Sequence, residues 1–400
     1  MRVLLVDVNC KHSSTGNIVY DLYTALRDDS HAASVCYGRG PIVREPDIFK
    51  FGLDAETCFH AFLTRVTGYT GCFSPISTAR LLRQIKKFRP DVVHLHELHA
   101  YFINYAPLIR YLKRSGIPVV MTLHCEFNYT GKCGHAVACD QWMTECGNCP
   151  HLHDYPRSLL FDRTKDMFRR KKALFADWQH LTVTAPSDWL AKRAKQSFLG
   201  TKDIRVIHNG IDTEVFYPRD ASAQRRALGI ADGEQVVLAA APDLMSQNKG
   251  GRYVLRLAER MSRPGLRFVL VGADAAACPM RERVTVLPRT YDIDVMAQYY
   301  SMADVFVICS ERETYPTSCL EALCCGTPVA GFAVGGVAET AWDDAALCDY
   351  GDIAQLAECV AALLSHQNSD TRREIADAAA KRCGKSAMTK QYLALYREHS

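Results

Sequence analysis

Apolar and polar positions alternate along the first half of this chain in an order that is typical of α/β folds. Short apolar runs predict buried strands at 3–8, 92–95, 119–123, 181–185 and 204–207. Amphipathic stretches between them predict helices at 18–26, 80–88 and 108–112. Strands that alternate with helices favour a parallel sheet, and ligands bind at the carboxyl ends of such strands.

The second half repeats this plan. Apolar runs predict further strands at 236–241, 267–271, 284–287 and 305–309, and amphipathic stretches predict helices at 251–261, 295–301 and 387–399. The charged, proline-containing stretch between the halves is typical of a linker. We therefore predict a first domain at 1–212, a linker at 213–234, a second domain at 235–384 and a last helix at 385–400 that crosses back to the first domain.

Composition narrows the class of protein. With 400 residues and 48% hydrophobic content, the chain can bury two separate cores. A formal charge of +4 is too small to indicate a nucleic-acid binder. The N-terminal apolar run is too short for a secretory signal, and no stretch is long enough to span a bilayer. We expect a cytoplasmic protein, either free or peripheral on the inner face of the cell membrane.

The chain carries 17 cysteines, which without a signal peptide do not indicate a disulfide framework. Those in apolar surroundings are predicted to be buried thiols: Cys10, Cys36, Cys309, Cys319, Cys324, Cys325 and Cys348. A second group, Cys133, Cys139, Cys146 and Cys149, is dense enough to hold a structural zinc ion. Reduced or transiently oxidised thiols and a catalytic role are the alternatives for this group.

The segment 310–330 holds the most informative chemistry, because it reads as loop, helix, turn and strand directly after an apolar strand. Pro316 lies near the start of the predicted helix, whose N–H groups and dipole favour a diphosphate. Glu313 precedes this helix and Glu321 lies within it, so both carboxylates could accept hydrogen bonds from sugar hydroxyls. A solvated helix face is the alternative for this pair.

The run Glu321-Ala-Leu-Cys-Cys-Gly-Thr-Pro-Val-Ala, with the later Gly335-Gly336 and Glu339, resembles the donor-site signature of family 4 glycosyltransferases. The resemblance implies the GT-B fold, two Rossmann-like doubly wound α/β domains facing across a cleft, and a retaining reaction on one face of the sugar. It further implies that Glu313 contacts the donor hexose and that Glu321 contacts the ribose. The nucleotide sugar would also contact Tyr315, Pro316, Thr317 and Ser318.

Two other segments resemble the same family. Lys249, which precedes Gly250, matches the lysine that binds the donor diphosphate, although the family's arginine five residues earlier is replaced here by Leu244. Gly16, in a loop after the first strand, matches the glycine loop that approaches the donor phosphates, although a plain helix cap explains that loop equally well.

A histidine at a strand end is the third match. His124 follows the buried strand 119–123 and resembles the histidine that borders the reacting sugar, where it would bind the donor or stabilise charge. Catalytic roles are therefore predicted for His124 and Glu313. His94, His96, Glu97 and His99 resemble the acceptor-side strand end and receive no individual role.

The cysteine-rich insertion at 125–157 resembles that of exopolysaccharide transferases of the colanic-acid type, and we expect it to cover the acceptor side. The basic stretch 163–172 is predicted either to rest on anionic lipid or to be a solvated helix face. Asp292 and Asp294 match a metal-binding Asp-x-Asp pair only superficially, because they lie at a predicted helix start where aspartates act as caps.

Together these patterns predict a retaining glycosyltransferase. It would move a hexose from a nucleotide-diphosphate donor, UDP- or GDP-linked, onto a growing exopolysaccharide or other glycan acceptor, either a glycan or a lipid-linked glycan. No cofactor for catalysis and no nucleic-acid partner are expected. A nucleotide-sugar epimerase on the same fold is an alternative. A zinc-bearing nucleic-acid module is a remote alternative that rests on the cysteines and the basic stretch alone.

Overall fold

The computed structural model describes residues 1–136, 138–274, 283–342, 345–366 and 368–399. It divides the chain into two compact units, the first formed by residues 1–208 and 388–400 and the second by residues 209–387. No helix among these residues is long and apolar enough to cross a membrane.

Unit 1 is built on a parallel sheet with the strand order β3-β2-β1-β4-β5-β6-β7. Its strands are β1 Arg2–Asp7, β2 Ala32–Tyr37, β3 Ile48–Lys50, β4 Val92–Leu95, β5 Val119–Thr122, β6 Leu181–Ala185 and β7 Asp203–Val206. Its helices are α1 Ser14–Asp28, α2 Asp54–Thr67, α3 Pro75–Phe88, α4 Tyr105–Ser115, α5 Thr164–Phe175 and α6 Asp188–Gln196, with a short 3-10 helix at Gln141–Met143.

Unit 2 holds a second parallel sheet with the order β10-β9-β8-β11-β12-β13. Its strands are β8 Gln235–Ala240, β9 Leu266–Val271, β10 Val284–Leu287, β11 Val305–Ile308, β12 Val329–Phe332 and β13 Ala345–Cys348. Its helices are α7 Ser222–Ala227, α8 Gly251–Arg260, α9 Ile293–Met302, α10 Thr317–Cys324, α11 Val337–Ala341, α12 Ile353–His366 and α13 Ser369–Cys383, with a 3-10 helix at Gln247–Lys249. The last helix, α14 Lys385–His399, lies in unit 1 from residue 388 onward.

Both sheets are covered on both faces, which explains why most residues of their strands are apolar. In β1, Leu4 and Val6 belong to one core cluster, whereas Val3 and Leu5 belong to another that includes side chains of α1 and α14. The predicted α/β class with doubly wound parallel sheets is confirmed, and every predicted strand agrees with an observed strand to within one residue at each end.

The strand order places one switch point in each sheet. The connections run outward in opposite directions from β1 and β4 in unit 1, and from β8 and β11 in unit 2. A crevice opens at such a point because the loops after the two strands diverge, and ligands of doubly wound folds bind there. The loops that follow these four strands are therefore the first places to look for a site.

The stretch 213–234, which we predicted to be a linker, folds into unit 2. It contains α7, and its residues Phe216, Ala221 and Ile230 are buried in a core cluster of that unit. Charged residues occupy only seven of the 22 positions, and the apolar ones are spaced so that several of them reach the core.

Candidate functional site

The switch point of unit 2 brings together the loops that follow β8 and β11. The Glu311 backbone N–H donates to the Asn248 carbonyl at 2.9 Å. Gly250 has a φ of +70°, and a Cβ there would lie 1.9 Å from the Cys309 carbonyl oxygen. The turn before α8 therefore requires glycine for its backbone angle and for the close approach of β11.

Two charged residues predicted for the donor site meet at this point. The Lys249 Nζ lies 2.6 Å from Glu313 Oε1, and the two side chains are 34% and 14% exposed. The pair joins a cation to a carboxylate at the edge where ligands bind. Such a lysine can neutralise a phosphate, and such a carboxylate can accept hydrogen bonds from sugar hydroxyls.

The backbone of Glu313 is held by the glycine pair that follows β12. The Gly336 N–H donates to the Glu313 carbonyl at 2.9 Å. Gly335 has a φ of +57°, and a Cβ there would lie 2.0 Å from the same carbonyl oxygen. These two glycines therefore fix the position of Glu313 through main-chain contact.

Helix α10 begins directly after this loop. Its N-cap is Pro316, which has no side-chain acceptor, so the cap does not satisfy the first N–H groups of the helix. Thr317 and Ser318 are half-buried at the first turn, and Tyr315 is buried beside them. The arrangement suits an anionic group at the helix start.

Glu321 lies one turn further along α10 and is half-buried. Its Oε2 accepts a hydrogen bond from the Tyr300 hydroxyl at 2.9 Å. Burial raises the pKa of Glu321, while hydrogen bonds from Tyr300 and Thr317 act in the opposite direction. The structure thus joins Glu321 to Tyr300, a partner that the sequence did not suggest.

Leu244, which stands where the family has an arginine, is a core residue. Its side chain is 3% exposed and packs in the cluster beneath α8. Its N–H donates to the Gly272 carbonyl, and its own carbonyl accepts from Gly251. At this position the chain therefore offers no cation for a phosphate.

In unit 1 the loop after β1 is tied down by a carboxyl that sequence reasoning missed. Asp7 is fully buried, and it accepts hydrogen bonds from the Thr15 hydroxyl at 3.1 Å and from the Glu97 N–H at 2.9 Å. Burial raises its pKa to about 7. Asp7 thus links the loops after β1 and β4, the switch point of this sheet.

Gly16 lies in the first turn of α1. The helix cap is Ser13, whose hydroxyl accepts from the Gly16 N–H at 3.0 Å. A Cβ on Gly16 would lie 3.1 Å from the backbone nitrogen of Lys11, which is closer than nine in ten real Cβ contacts. A helix cap and a close backbone approach therefore both operate at this loop.

Three histidines form a chain of contacts across the ends of β4 and β5. His94 is bonded to the Tyr396 and Thr122 hydroxyls at 2.6 Å each. The His96 Nδ1 lies 3.0 Å from His124 Nε2. Burial lowers the pKa of His124 to about 4, although the nearby carboxylate of Glu97 opposes this. His124 is therefore a neutral hydrogen-bonding group at neutral pH.

The four cysteines of the insertion line one pocket together with Trp142. The Gly131 N–H donates to Cys146 Sγ at 3.2 Å, and a hydrogen bond from Cys133 lowers the pKa of Cys149 to about 6. These donors suit thiolate ligands. Among the described residues, however, these four sulfurs do not form a group of three within 4.8 Å of one another.

Buried charges organise the insertion around this pocket, and the sequence did not predict them. Glu126 is fully buried and accepts from Arg193 at 2.7 Å and from the Ala136 N–H at 2.7 Å. The Lys132 Nζ donates to three carbonyl oxygens between 152 and 156. Each buried charge is thus compensated by fixed partners, as burial requires.

The basic stretch 163–172 is largely α5, and it is not a uniform basic face. Lys171 is fully buried, and its Nζ donates to the Phe127 and Thr130 carbonyls. Arg169 and Lys165 both pair with Glu145. Fewer cations face solvent than the composition indicated.

Two smaller predictions are confirmed. All seven cysteines assigned to apolar surroundings are buried. Asp292 is the N-cap of α9, where its Oδ1 accepts from the Asp294 and Val295 N–H groups, and Asp294 pairs with Arg219. Asp292 therefore caps the helix, and Asp294 forms an ion pair.

Comparisons with known proteins agree with this architecture. The family model described as Glycosyltransferase Family 4 matches residues 15–215, and the one described as Glycosyl transferases group 1 matches residues 220–382. WcaC of Escherichia coli (strain K12), named as a colanic acid biosynthesis glycosyl transferase, is 27% identical over 348 residues, 82% of each chain. The N-acetyl-alpha-D-glucosaminyl L-malate synthase of Bacillus anthracis is 27% identical over 205 residues, 48% of this chain and 53% of that enzyme.

Solved structures show the same fold. Sucrose-phosphate synthase from Thermosynechococcus elongatus superposes with a TM-score of 0.73 at 19% identity, covering 100% of this chain and 99% of the other. HepE of Anabaena, solved in complex with UDP-glucose, gives 0.66 at 15% identity with full coverage of both chains. The protein has a GT-B-like fold, is a glycosyltransferase, and belongs to glycosyltransferase family 4.

Proposed function

We propose that this enzyme is a retaining glycosyltransferase that moves a hexose from a nucleotide-diphosphate sugar to a growing, lipid-linked exopolysaccharide. Two findings support the donor and acceptor classes. HepE, which shares the fold, is solved with UDP-glucose, and WcaC is named for colanic acid biosynthesis. The observation that carries the proposal is the Lys249–Glu313 pair at the switch point of unit 2.

In this proposal unit 2 binds the donor. Lys249 and the first N–H groups of α10 hold the diphosphate and stabilise its charge as the bond to the sugar breaks. Glu313 accepts hydrogen bonds from hexose hydroxyls, and Glu321, oriented by Tyr300, accepts from the ribose diol. When the donor binds, the diphosphate replaces Glu313 as the partner of Lys249, and the Glu313 carboxylate is then free to accept hydrogen bonds from the hexose.

Unit 1 supplies the acceptor side. His124, neutral because burial lowers its pKa to about 4, acts as a hydrogen-bonding group rather than as a cation. The loop at Gly16 would bind phosphate through its main chain, in place of the helix cap in which the Gly16 N–H donates to the Ser13 hydroxyl. Substitution on the same face of the sugar, through an oxocarbenium-like state, leaves the anomeric configuration unchanged.

The donor site is tested by calorimetric titration of UDP- and GDP-sugars into the wild type and Lys249→Met. The matched control is Lys385→Met, because Lys385 pairs with Asp212 at the same 2.6 Å and is similarly exposed at 35%. We expect Lys249→Met to weaken binding of one nucleotide-sugar class at least about tenfold, since a charge-assisted contact contributes about 1.5–3 kcal/mol. Equal affinity in the two variants would refute the assignment of Lys249.

The reaction class is tested with the donor so identified. Incubation with membrane lipids from an exopolysaccharide producer should give a glycosylated lipid, and the anomeric configuration of its new linkage, measured by NMR, should equal that of the donor. An inverted linkage would contradict retention. A changed nucleotide sugar in the absence of any acceptor would indicate an epimerase instead.

We also propose a structural zinc ion at the four cysteines of the insertion. The donor set suits zinc, and the shared pocket and the N–H donor to Cys146 support it. Zinc there would cross-link the insertion, which requires the four sulfurs to draw closer than the structure has them. Elemental analysis of Cys133→Ser/Cys149→Ser should show one equivalent less zinc than the wild type, and equal zinc content would remove this proposal.

Attachment to an anionic membrane surface through α5 is the last part of the proposal. Arg170 and Lys172 are the exposed cations of α5 that no acidic side chain pairs with among the contacts of the described residues. Sedimentation with vesicles should therefore increase with their content of anionic lipid and fall in Arg170→Gln/Lys172→Gln. Binding that ignores lipid charge would contradict docking by these cations.

A further inference from the structure

A second cluster of metal-binding side chains lies in unit 1, outside the four-cysteine pocket. Glu97 and His99 follow the carboxyl end of β4, and Cys125 follows that of β5. The two strands are neighbours in the parallel sheet, so the residues that leave their ends are close in space. The carboxylate, imidazole and thiol offer ligand atoms that all lie within 4.8 Å of one another.

The distances between these atoms match a coordination sphere. Glu97 Oε1 lies 3.1 Å from His99 Nε2, and Cys125 Sγ lies 3.4 Å from the same oxygen. Tetrahedral zinc with bonds of about 2.0–2.3 Å separates its oxygen, nitrogen and sulfur ligands by roughly 3.3–3.6 Å. The two distances from Glu97 Oε1 are thus within about 0.3 Å of this geometry. His99 Nε2 and Cys125 Sγ lie within 4.8 Å of each other, so an ion would draw these two atoms together.

The surroundings hold the three side chains in place. The His99 ring packs edge-on against Phe127 and Tyr155, and its Nδ1 is buried without a hydrogen-bond partner among the described residues. Gly134 of the insertion covers the cluster, because a Cβ there would lie 3.9 Å from both Cys125 Sγ and His99 Nε2. The cluster is thus partly enclosed, with the backbone of the insertion as its cover.

We propose that Glu97, His99 and Cys125 bind a divalent transition metal ion of the zinc class. Oxygen, nitrogen and sulfur ligands together suit zinc, and three protein ligands leave a fourth position open. The site adjoins His124, the residue next to Cys125 in the chain, so a bound ion would couple the cover of the insertion to the strand ends of unit 1.

The proposal goes beyond the proposed transferase reaction, and its test needs no sugar nucleotide. The full chain carrying Cys133→Ser/Cys149→Ser serves as the parent, so that the four-cysteine pocket does not contribute metal. Zinc content is measured by elemental analysis, and Co²⁺ is titrated as a spectroscopic probe of thiolate ligation. We expect one equivalent of metal and a thiolate-to-Co²⁺ charge-transfer band.

Adding His99→Gln or Cys125→Ser should weaken Co²⁺ binding at least about a hundredfold, because loss of a direct ligand exceeds the 10–100-fold effect of outer-shell changes. The matched control is Cys72→Ser, a half-buried thiol of the same unit outside the cluster, which should leave Co²⁺ affinity unchanged. If the substituted chains do not fold, X-ray absorption of the zinc-loaded parent decides, with one sulfur and two or more lighter ligands expected.

Less than a tenth of an equivalent of zinc in the folded parent would overturn the proposal. A sulfur-rich coordination shell, or Co²⁺ affinity that is indifferent to His99→Gln and Cys125→Ser, would do the same. In each case the contacts of Glu97 would be a plain ion pair with His99 and a hydrogen bond from Cys125.

Discussion

Gly335→Ala is the substitution that most directly tests whether main-chain contact positions the donor carboxylate. Gly335 has a φ of +57°, and a Cβ at this residue would lie 2.0 Å from the Glu313 carbonyl oxygen. That oxygen also accepts the hydrogen bond from the Gly336 N–H at 2.9 Å. The added methyl group therefore pushes on the residue that meets Lys249.

Two costs follow from this geometry. The left-handed backbone costs an alanine about 1 kcal/mol relative to glycine. The close contact costs more, because real Cβ atoms essentially never approach closer than 3.0 Å, so Glu313 or Gly335 must move by about 1 Å. A misplacement of about 1 Å at a reacting centre costs on the order of a hundredfold in rate. We expect unfolding free energy to fall by about 2–4 kcal/mol and kcat/KM to fall about a hundredfold.

Gly229→Ala is the matched control within unit 2. Its φ is +66°, and nothing lies within 4 Å of its added Cβ. It should lose about 1 kcal/mol of stability and keep its donor affinity. Urea unfolding and calorimetric titration of the donor are measured for both variants. The reasoning fails if Gly335→Ala binds and turns over the donor as Gly229→Ala does.

Three further substitutions test the buried His60 of unit 1 and two residues beside the candidate donor site of unit 2. His60→Gln should flatten the pH dependence of stability. Burial lowers the pKa of His60 from 6.5 to about 4, so the wild type loses up to about 3 kcal/mol of unfolding free energy as pH falls through that window. Urea unfolding at pH 7 and pH 4 measures this loss, and an equal loss in the variant would contradict the prediction. Tyr300→Phe should weaken donor binding about tenfold in calorimetric titration by freeing the Glu321 carboxylate, whereas unchanged affinity would separate Glu321 from the donor. Leu244→Arg should not restore a phosphate clamp but should lower unfolding free energy by about 3–5 kcal/mol, because it places an unpaired charge in the core; a stable variant with tighter donor binding would show the opposite.

Most of the strands could be predicted from the sequence because both sheets are covered on both faces, whereas β2 and the edge strands β3 and β13 were not predicted. Runs buried on both sides are apolar throughout, so their bounds are visible without knowledge of the neighbours. The order of the strands in the sheet could not be predicted, because it depends on which helix covers which face. The order identifies β1 with β4 and β8 with β11 as switch points, and these are the places where the candidate residues lie.

Helix α2 escaped prediction because its apolar positions do not mark its buried face. It buries Thr57, His60 and Thr64 and exposes Phe59 and Phe62. The buried polar groups find local partners, such as the Ser74 hydroxyl for His60 at 2.8 Å. A helix of this kind defeats a search for an apolar stripe, since the pattern points away from the core.

The basic stretch 163–172 shows the same limit for charge. Composition predicts an exposed face, either solvated or resting on anionic lipid, because lysine is almost never fully buried without partners. The partners of Lys171 are the Phe127 and Thr130 carbonyls, more than forty residues earlier in the chain. No residue near Lys171 in the sequence indicates these two carbonyl partners, so its burial depends on the folded insertion.

The two candidate sites differ in how their side chains are positioned, and this explains why only one could be read from the sequence. In unit 2, main-chain contacts at Gly250 and Gly335 place the loops, and a position that requires glycine can be recognised directly from the sequence. In unit 1, hydrogen bonds to the buried carboxylates of Asp7 and Glu126 place the loops, and the donors are distant in sequence. A motif therefore carries the donor residues, whereas the cluster at Glu97 emerges only when the strand ends are brought together.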